Sequence, residues 1–461
     1  MSTAAATPAD PTRHFAFWPK RQPRELDTPD TSLWANLDIT HRRYADRPAF
    51  VFFDRVISYR ELFASVEKLA GWLQQVAGVK KGDRVALCLQ NSPQFVIAYY
   101  AVLRADAVVV PVNPMNKAAE LTHYITDPVA RVAIVGSDLA AAWIAANQEV
   151  AATKPDMALQ HLLVTRYCDE MSNGALPAGG FPDAWRAWLD LAVDMPTYAT
   201  AWRDAMGAGL TASAPIAGPD DLAVLPYTSG TTGLPKGCMH THRTLMHNVL
   251  AGAIWGCSTS ETIGLGVVPM FHITGFIYGC LAAVAGGGTT VLLPRWDREL
   301  AGRLIARHRV THWTCIPTMI IDLFASPHYR SFDLSSLVYL SGGGAAMPAA
   351  VAQRLQDEFG IAFAEGYGLT ETAAPSHANP PERAKLQCLG IPFFSTDSRV
   401  VDPVTFEEVP PGQDGEIIVH GPQIMRGYWG QPKATEQAFV EIGPNFGLPD
   451  PIIARWKDLI G

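Results

Sequence analysis

The stretch Tyr227-Thr-Ser-Gly-Thr-Thr-Gly-Leu-Pro-Lys-Gly237 decides how this sequence is interpreted. It combines three glycines, four Ser or Thr hydroxyls and one lysine between an apolar run (222–226) and a helix-like segment (244–253). A strand, a glycine-rich turn and a helix bring backbone N–H groups close to phosphate. The stretch is not a Walker A loop, because Gly230 is followed after four residues by Pro235-Lys236 instead of Gly-Lys. It therefore predicts a nucleoside-triphosphate site of another kind.

The composition is that of a large globular protein. The 461 residues are 48% hydrophobic and 17% charged, which predicts two or three domains around a large core. The net charge of −8, with scattered basic residues, argues against a nucleic-acid or polybasic membrane-binding surface. Any ATP must then be held by local groups, because the overall charge does not attract an anion.

Cysteine usage and the apolar segments predict a cytoplasmic protein. The seven cysteines are odd in number, widely spaced and free of CxxC pairs, as expected for buried thiols in a reducing compartment. Residues 1–13 contain no apolar core typical of a signal peptide. The two most apolar stretches, 95–113 and 276–293, are interrupted by charged or glycine residues, so neither predicts a transmembrane span.

Alternating helical and apolar strand patterns predict an α/β fold. Strands that are apolar throughout are typical of a parallel sheet covered by helices on both faces. After about residue 390, short β-rich segments between Pro and Gly predict a small antiparallel or barrel-like unit. The predicted helices are 58–77, 93–105, 118–126 and 299–307, and the predicted strands include 85–89, 108–112, 131–135, 337–341, 398–401 and 415–420.

These patterns predict two doubly wound α/β subdomains in αβαβα layers and a small, distorted β-barrel-like subdomain. Residues 170–218 lack a clear period and are expected to be irregular. We expect a loose N-terminal arm at 1–30, α/β subdomain A at 31–215, α/β subdomain B with the phosphate loop at 216–395, the β subdomain at 396–440 and an atypical tail at 441–461. The apolar residues of a short terminal helix in that tail would be Ile452, Ile453, Trp456, Leu459 and Ile460.

Five stretches, in this order, resemble a known enzyme family. They are the loop at 227–237, Pro269-Met-Phe-His-Ile-Thr-Gly275, Ser341-Gly-Gly-Gly-Ala-Ala-Met-Pro348, Gly366-Tyr-Gly-Leu-Thr-Glu-Thr372 and residues 415–429. Together they resemble the adenylate-forming enzymes, which include acyl-CoA synthetases, firefly-luciferase-like enzymes and the adenylation domains of nonribosomal peptide synthetases. The resemblance implies an AMP-forming carboxylate–CoA ligase that uses ATP, Mg²⁺ and coenzyme A.

The same resemblance implies roles for individual residues. Thr370 would bond the α-phosphate, Glu371 would bind Mg²⁺ and His272 would stand beside the acyl carboxylate, so these three are the implied catalytic residues. The implied nucleotide-binding residues are Thr228, Ser229, Gly230, Thr231, Thr232, Gly233, Lys236, Gly343, Gly344, Ala345, Gly366, Tyr367 and Gly368. The implied contacts to the acyl substrate are His272, Ile273, Gly342 and Gly343.

The residues alone leave simpler interpretations open. The loop at 227–237 would also suit a hydroxyl-rich surface turn, and Glu371 would suit the first turn of a helix for reasons of the helix dipole. A histidine near apolar residues, such as His272, is often a packing residue. The alternation in Cys238-Met-His-Thr-His242 suggests a metal site, but no fourth ligand stands out nearby, and we expect His242 to support the start of the following helix.

After Val440 the sequence departs from the family pattern. The family continues with a Thr-Gly-Asp motif and a C-terminal lid that supplies a catalytic lysine, and residues 441–461 match neither. We therefore expect an adenylation core without its lid that forms acyl-adenylate weakly or not at all, because losing one preorganised charge costs about 10²–10³ in rate. Two alternatives stay open: a non-catalytic acyl- or nucleotide-binding module, and a core that loads a carrier protein with a lid from another chain.

The acyl substrate is indicated only in outline. The stretch 271–275 offers no aspartate to hold an ammonium group, which favours a plain carboxylic acid over an amino acid. Small residues at 342–346 leave space for a medium or long fatty chain, our first choice, and an aryl propenoate would also fit. The expected partners are this acid, ATP and CoA, and the sequence leaves a homodimer open. Asp106 stands where the family commonly has glycine.

Overall fold

The computed structural model describes residues 12–177, 179–228, 233–440 and 453–454. The strands are β1 (Pro48–Phe52), β2 (Arg55–Ser58), β3 (Arg84–Cys88), β4 (Val108–Pro111), β5 (Val132–Gly136), β6 (His161–Thr165), β7 (Ala199–Ala201), β8 (Leu222–Val224), β9 (Tyr227–Thr228), β10 (Lys236–Gly237), β11 (His240–Thr241), β12 (Ile263–Gly266), β13 (Thr289–Leu292), β14 (His312–Cys315), β15 (Tyr339–Gly342), β16 (Phe363–Leu369), β17 (Ala374–Ala378), β18 (Ile391–Pro392), β19 (Asp397–Val401), β20 (Glu416–His420), β21 (Phe439–Val440) and β22 (Ile453–Ala454).

The helices lie between and around these strands. They are α1 (Trp34–Tyr44), α2 (Tyr59–Gln75), α3 (Pro93–Arg104), α4 (Ala118–Thr126), α5 (Ala140–Thr153), α6 (Arg186–Leu189), α7 (Trp202–Gly207), α8 (His242–Trp255), α9 (Ile273–Phe276), α10 (Ala282–Gly286), α11 (Arg298–His308), α12 (Pro317–Phe324), α13 (Ala349–Phe359) and α14 (Pro432–Ala438). A π-helical turn, Ile277–Leu281, joins α9 to α10. Within the described ranges, no helix combines the length and apolarity needed to cross a bilayer.

Two large sheets organise the molecule. The nine-stranded sheet has the order β18-β17-β16-β15-β14-β12-β13-β1-β2, with parallel pairing from β16 to β1. The seven-stranded sheet has the order β11-β8-β4-β3-β5-β6-β7 and is parallel except for β11. The predicted α/β fold is therefore confirmed.

The seven-stranded sheet is covered on both faces. Along β3, Val85 and Leu87 belong to one hydrophobic cluster, whereas Ala86 and Cys88 belong to another. Successive residues of a strand point to opposite faces, so each face has its own core. This explains why the strand is apolar throughout, as the sequence predicted.

Helix α3 lies in the core. All twelve of its residues are buried, which is typical of a helix that is apolar on every side. Its start is well specified, because the Ser92 side chain accepts the N–H of Phe95 and Pro93 occupies the first turn. The helix predicted at 93–105 thus begins and ends within one residue of the expected positions.

The two sheets do not follow the expected division at residue 216. Strands β1 and β2 join the nine-stranded sheet, and β8 and β11 join the seven-stranded sheet. In the first case Phe50 pairs with Thr290 across 240 positions of sequence. Local patterns predict strands but carry no information on such distant partners, so the subdomains interleave where the sequence suggested a simple boundary.

The described part of the N-terminal arm is anchored, which corrects the expectation of a loose segment. The Trp18 ring contacts the rings of Trp255 and Phe394 edge-on, with centroid distances of 5.2 and 5.3 Å. The Gln22 side-chain amide donates to the carbonyl of Ile254 at 3.1 Å. Aromatic packing of this kind outweighs the Pro-rich, charged composition from which looseness was inferred.

The small β subdomain forms an open antiparallel sheet in the part of the chain that the structure describes. Its order is β19-β20-β22-β21, and no barrel closure accompanies it. Ile453, expected in a short helix, lies in β22, which pairs with Val440 and Val419. The other residues of that expected helix lie outside the described residues. The stretch 170–218, expected to be irregular, contains α6, β7 and α7.

Candidate active site

A cavity of about 480 Å³ lies between α8, the α9–α10 segment and the strands β12 to β16. At one end it reaches Gly344 and Gly368, which lie beyond or near the carboxyl ends of β15 and β16. At the other end it reaches Thr289 and Tyr339, the first residues of β13 and β15. The cavity therefore runs along the face of the sheet, and its first end is the edge at which open α/β sheets bind ligands.

Glycines shape the two ends of this cavity differently. At the carboxyl end, a Cβ on Gly342 would collide with the Cys315 carbonyl oxygen, and one on Gly368 with the Ala374 carbonyl oxygen. Backbones there approach too closely for any side chain. Further along, a Cβ on Gly264 would meet only carbonyl oxygens at 3.9 and 4.0 Å, so this glycine leaves open space.

The stretch at 366–372 ends β16 and turns sharply. Thr370–Thr372 form one 3-10 turn, and the Thr372 hydroxyl oxygen accepts the N–H of Leu369 at 2.8 Å. Ala373 and Ala374 follow with φ of 50° and 71°, a left-handed conformation that costs energy for residues other than glycine. The Asn248 side-chain amide donates to the carbonyls of Thr372 and Ala373 and holds this strained backbone.

Glu371 is buried beside three polar side chains. It is 2% exposed, and the Tyr428 hydroxyl donates to its Oε1 at 2.6 Å. The Cys238 thiol lies within hydrogen-bonding reach of the same carboxylate. Burial raises the pKa of Glu371, because removal from water disfavours the charged carboxylate, while the bonds from Tyr428 and the nearby charge of Lys236 act in the opposite direction.

The phosphate loop closes as a β-hairpin. Strand β9 pairs with β10, with Thr228 opposite Lys236, and α8 begins only at His242. The expectation that a strand leads through the turn directly into a helix was therefore wrong. The chain stays extended after the loop, because β10 pairs with β9. The first three N–H groups of α8 already have partners: those of His242 and Arg243 donate to the carbonyls of Asp221 and Pro219, and the Thr241 side chain accepts the N–H of Thr244.

The hairpin brings Lys236 to the Glu371 cluster. The Lys236 ammonium lies 4.4 Å from the centre of the Tyr428 ring. Gly233 is exposed at the far side of the loop. The predicted residues Ser229, Gly230, Thr231 and Thr232 lie outside the described residues.

The alternating Cys238-Met-His-Thr-His242 segment supports the Glu371 turn. The His240 ring donates from Nε2 to the Thr370 carbonyl at 2.7 Å, and burial lowers the pKa of His240 to about 4. His242 is the first residue of α8, and its Nδ1 accepts the N–H of Leu33 at 3.1 Å. No group of three His, Cys, Asp or Glu side chains suited to a metal was found within the described ranges.

His272 lies on the cavity wall and is the N-cap residue just before α9. Its Nδ1 accepts the N–H of Thr274 at 3.4 Å, so the ring caps this short helix. The next residue, Ile273, is buried in the main hydrophobic cluster.

Seven of the predicted residues line one cavity, and Lys236 and Glu371 both contact Tyr428. Those that line the cavity are His272, Gly342, Gly343, Gly344, Gly366, Tyr367 and Gly368. Ala345 is exposed just beyond Gly344, and Thr370 directly follows β16. The sequence reasoning gave no role to Tyr428 and considered Cys238 and His240 only as metal ligands, although all three lie in or next to quoted stretches. The signal that would have found them is the pairing of Cys238 with Tyr428, which only the structure shows.

Comparisons with known proteins agree with this geometry. The family model described as AMP-binding enzyme matches residues 37–429. The chain is 34% identical over 433 residues to a long-chain-fatty-acid–CoA ligase of Escherichia coli O6:H1, which covers 91% of this chain and 75% of that one. It is 36% identical over 386 residues to a feruloyl-CoA synthase of Amycolatopsis sp, covering 83% of this chain and 68% of that one.

A solved structure shows the same fold. A long-chain-fatty-acid-CoA ligase from Archaeoglobus fulgidus superposes with a TM-score of 0.77 at 24% identity, covering 95% of this chain and 84% of that one. The family model spans most of the chain, and the E. coli relative matches nearly all of it. On this evidence the chain belongs to the AMP-binding enzymes, the adenylate-forming family.

Proposed function

We propose that the chain is an AMP-forming carboxylate–CoA ligase that acts on a straight-chain fatty acid. In the first step a carboxylate oxygen attacks the α-phosphorus of ATP, and the bond to pyrophosphate breaks. In the second step the thiol of CoA attacks the acyl carbon of the acyl-adenylate, and AMP leaves. The observation that carries this proposal is the cavity that joins the Gly366–Tyr367 backbone to a long channel along the sheet.

The nucleotide end is assigned from the hairpin and the 366–372 turn. Lys236 and Thr228 lie opposite each other in the hairpin, and both are proposed to contact the β- and γ-phosphates. Ser229, Thr231 and Thr232, assigned the same role from the sequence, lie outside the described residues. Tyr367 lines the cavity at the position proposed for adenine, and Thr370 is proposed to bond the α-phosphate. His272 and the backbone of Gly342 and Gly343 form the adjoining wall, where the acid would bind.

Glu371 suits Mg²⁺. A buried carboxylate with one oxygen held by the Tyr428 hydroxyl is the hard oxygen ligand that this ion prefers. Burial raises the pKa of Glu371, and a cation bound beside it would favour the charged carboxylate. Bound Mg²⁺ neutralises phosphate charge that otherwise repels the attacking carboxylate.

The cavity extends along the sheet and offers room for a fatty acyl chain. Tyr339, Ser341 and Gly342 all line it, and these positions alone span roughly 10 Å at ~3.3 Å per residue of strand. Gly264 and Gly279 line the same channel and add no side chain to obstruct it. The ligase name of the E. coli relative points to the same substrate class, whereas the feruloyl-CoA synthase relative makes ferulate the competing candidate.

ATP–pyrophosphate exchange tests this proposal. The chain would be assayed with hexadecanoate, octanoate, butanoate and ferulate, with Glu371→Gln as the control for site-dependent exchange. We expect slow but acid-dependent exchange that is greatest with hexadecanoate and is lost in the control. Greatest exchange with ferulate would overturn the substrate assignment. ATP binding without exchange for any acid would support the non-catalytic binding module instead.

A further inference from the structure

Tyr428 stands between the two charged groups of the proposed nucleotide site. Its hydroxyl donates to Glu371 Oε1 at 2.6 Å, and its ring face lies 4.4 Å from the Lys236 ammonium. The side chain is almost fully buried, with 6% of the residue exposed. One aromatic residue thus contacts both the carboxylate assigned to the metal and the cation assigned to the phosphates.

The backbone around Tyr428 is fixed from several sides. Residues 426–429 run antiparallel to the strand that carries Lys236, with N–H groups of Arg426 and Trp429 donating to carbonyls of Met239 and Gly237 at 2.8 Å. Cys238 lies directly opposite Tyr428 in this pairing. The N–H of Tyr428 itself donates to the Thr435 hydroxyl at 2.9 Å. The ring therefore has a defined position before any ligand binds.

The Glu371 turn is tied to the same segment. The N–H of Met425 donates to the Glu371 carbonyl at 2.8 Å, three residues before Tyr428. The main chain and the side chain of Glu371 are thus both held by residues 425–428. Groups whose rotamers are locked by packing and hydrogen bonds in this way need little reorganisation when a ligand arrives.

We propose that Tyr428 is a positioning residue that presets the Glu371 carboxylate through its hydroxyl and the Lys236 ammonium through its ring. This inference rests on the proposed function, because it assigns those two groups to Mg²⁺ and to the phosphates of ATP. The proposal assigns two separate effects to the Tyr428 side chain. The hydroxyl acts on metal-dependent binding, and the ring acts on phosphate binding whether or not the metal is present.

Calorimetric binding of ATP, with excess Mg²⁺ or with EDTA and without any acid, separates the two contributions. Tyr428→Phe keeps the ring and removes the hydroxyl. We expect ATP binding with Mg²⁺ to weaken roughly tenfold, the size expected for one hydrogen bond to a charged group, and binding in EDTA to stay unchanged. Tyr428→Leu removes both groups and should weaken binding in EDTA as well, by several-fold.

The chain offers a matched control outside the cavity lining. The Tyr329 hydroxyl donates to Glu358 Oε2 at 3.0 Å, and its ring lies 4.5 Å from the Arg354 guanidinium. Tyr329→Phe and Tyr329→Leu remove equivalent contacts and should leave both ATP affinities unchanged. A merely structural role for Tyr428 would lower the melting temperature and leave the ratio of the two affinities as in the wild type.

A double variant makes the test independent of how well each single variant folds. If the hydroxyl acts through the carboxylate, Tyr428→Phe should add nothing to the loss of metal-dependent binding caused by Glu371→Gln. Additive losses, or an unchanged Mg²⁺ effect in Tyr428→Phe, would overturn the positioning role while leaving the proposed function intact. Absence of ATP binding by the wild type would overturn both.

Discussion

At the scale of single residues, Asp106 explains a departure from the family pattern. Its φ is 60°, in the left-handed region where glycine is the common residue. Its Oδ1 accepts the N–H groups of Ile216 and Ala217 at 2.9 and 2.8 Å. The carboxylate therefore fastens the segment that leads to β8, at the cost of a less favourable backbone conformation that Asp tolerates better than most residues.

Substitution of Asp106 should separate these two effects. Asp106→Ala loses both hydrogen bonds and keeps the strain, and we expect the free energy of unfolding to fall by about 3 kcal/mol. Asp106→Gly also loses the bonds but relieves the strain, so its loss should be smaller by about 1 kcal/mol. Asp106→Asn should be the mildest of the three. Urea unfolding gives this order, and a more stable Ala than Gly variant would contradict it.

His247 contributes a share of the acid dependence of stability that a single substitution can isolate. Its Nε2 donates to the Phe394 carbonyl, and burial lowers the pKa of His247 from 6.5 to about 4. Between these values the unfolded chain binds a proton that the folded chain does not, so stability falls as the pH is lowered. The contribution is complete above pH 6.5 and is lost as the pH falls to about 4.

We expect His247→Gln to flatten this acid dependence. A glutamine amide can still donate to the Phe394 carbonyl but binds no proton in this range. The decrease in the free energy of unfolding between pH 6.5 and pH 4 should shrink by up to about 3 kcal/mol. Chemical denaturation at several pH values measures it, with His328→Gln in a loop outside the core as control. An unchanged slope would show that His247 is not kept neutral by burial.

At the residue scale, the sequence predicted roles for residues that belong to a short local motif. Roles for Glu371 and Thr370 were predicted because the two residues stand in one short stretch with Tyr367. Tyr428 was quoted with its stretch but given no role, because its partners lie 57 positions away at Glu371 and across a strand pairing at Cys238. Side-chain contacts between distant segments depend on tertiary structure, and a single sequence does not display it.

At the scale of elements, the helices and strands with strong periodicity were predicted well and the phosphate hairpin was not. Helix α4 has the predicted bounds, 118–126. The hairpin was missed because β9 and β10 have two residues each, too short to give a period. The sequence also did not predict the channel along β12. A single glycine such as Gly264 forms no recognisable pattern, so the space that it leaves could not be inferred.

At this scale we predict that a larger side chain at Gly264 limits the length of the acyl chain that the cavity accepts. A leucine there would extend from a position where a Cβ has open space into the distal part of the cavity. Each methylene withdrawn from water contributes about 0.8 kcal/mol, so excluding several of them should weaken binding of a long chain by more than tenfold. Binding of butanoyl sulfamoyl-adenosine, a non-hydrolysable mimic of the acyl-adenylate, should be unaffected.

The control for Gly264→Leu is Gly207→Leu, at an exposed site in α7 with nothing within 4 Å of an added Cβ. Calorimetry with butanoyl and hexadecanoyl analogues would be run on both variants. Equal losses for the two analogues in Gly264→Leu would mean that the glycine does not set the accepted chain length.

At the scale of the whole molecule, Asn91 joins the two sheets. It follows β3 of the seven-stranded sheet, and its Nδ2 donates to the carbonyls of Gly266 and Val268 at 3.1 and 3.0 Å. Its Oδ1 accepts the N–H of Met270 at 2.7 Å, two residues before His272. One buried side chain therefore fixes the loop that forms the acid-facing wall of the cavity.

Asn91→Ala should impair both stability and ligand binding. Losing three hydrogen bonds, including the one that satisfies the buried N–H of Met270, is expected to lower the free energy of unfolding by about 3 kcal/mol. The affinity for hexadecanoyl sulfamoyl-adenosine should also fall, because the loop that carries His272 loses its anchor. Asn147→Ala is the control, since Asn147 on α5 bonds both backbone groups of Leu159, in the loop just before β6. It should lose stability while the folded protein keeps its affinity.

The central claim is that one cavity accommodates a nucleotide at the strand ends and a long acyl chain along the sheet. The most direct test is calorimetric affinity for a series of acyl sulfamoyl-adenosines with butanoyl, octanoyl, hexadecanoyl and feruloyl groups. Intermediate analogues bind far more tightly than substrates, so the series reports on the cavity without requiring turnover. We predict that affinity rises steadily from butanoyl to hexadecanoyl and that the feruloyl analogue binds more weakly than the hexadecanoyl analogue. Affinity that does not depend on chain length, or no binding by any analogue, would contradict the account.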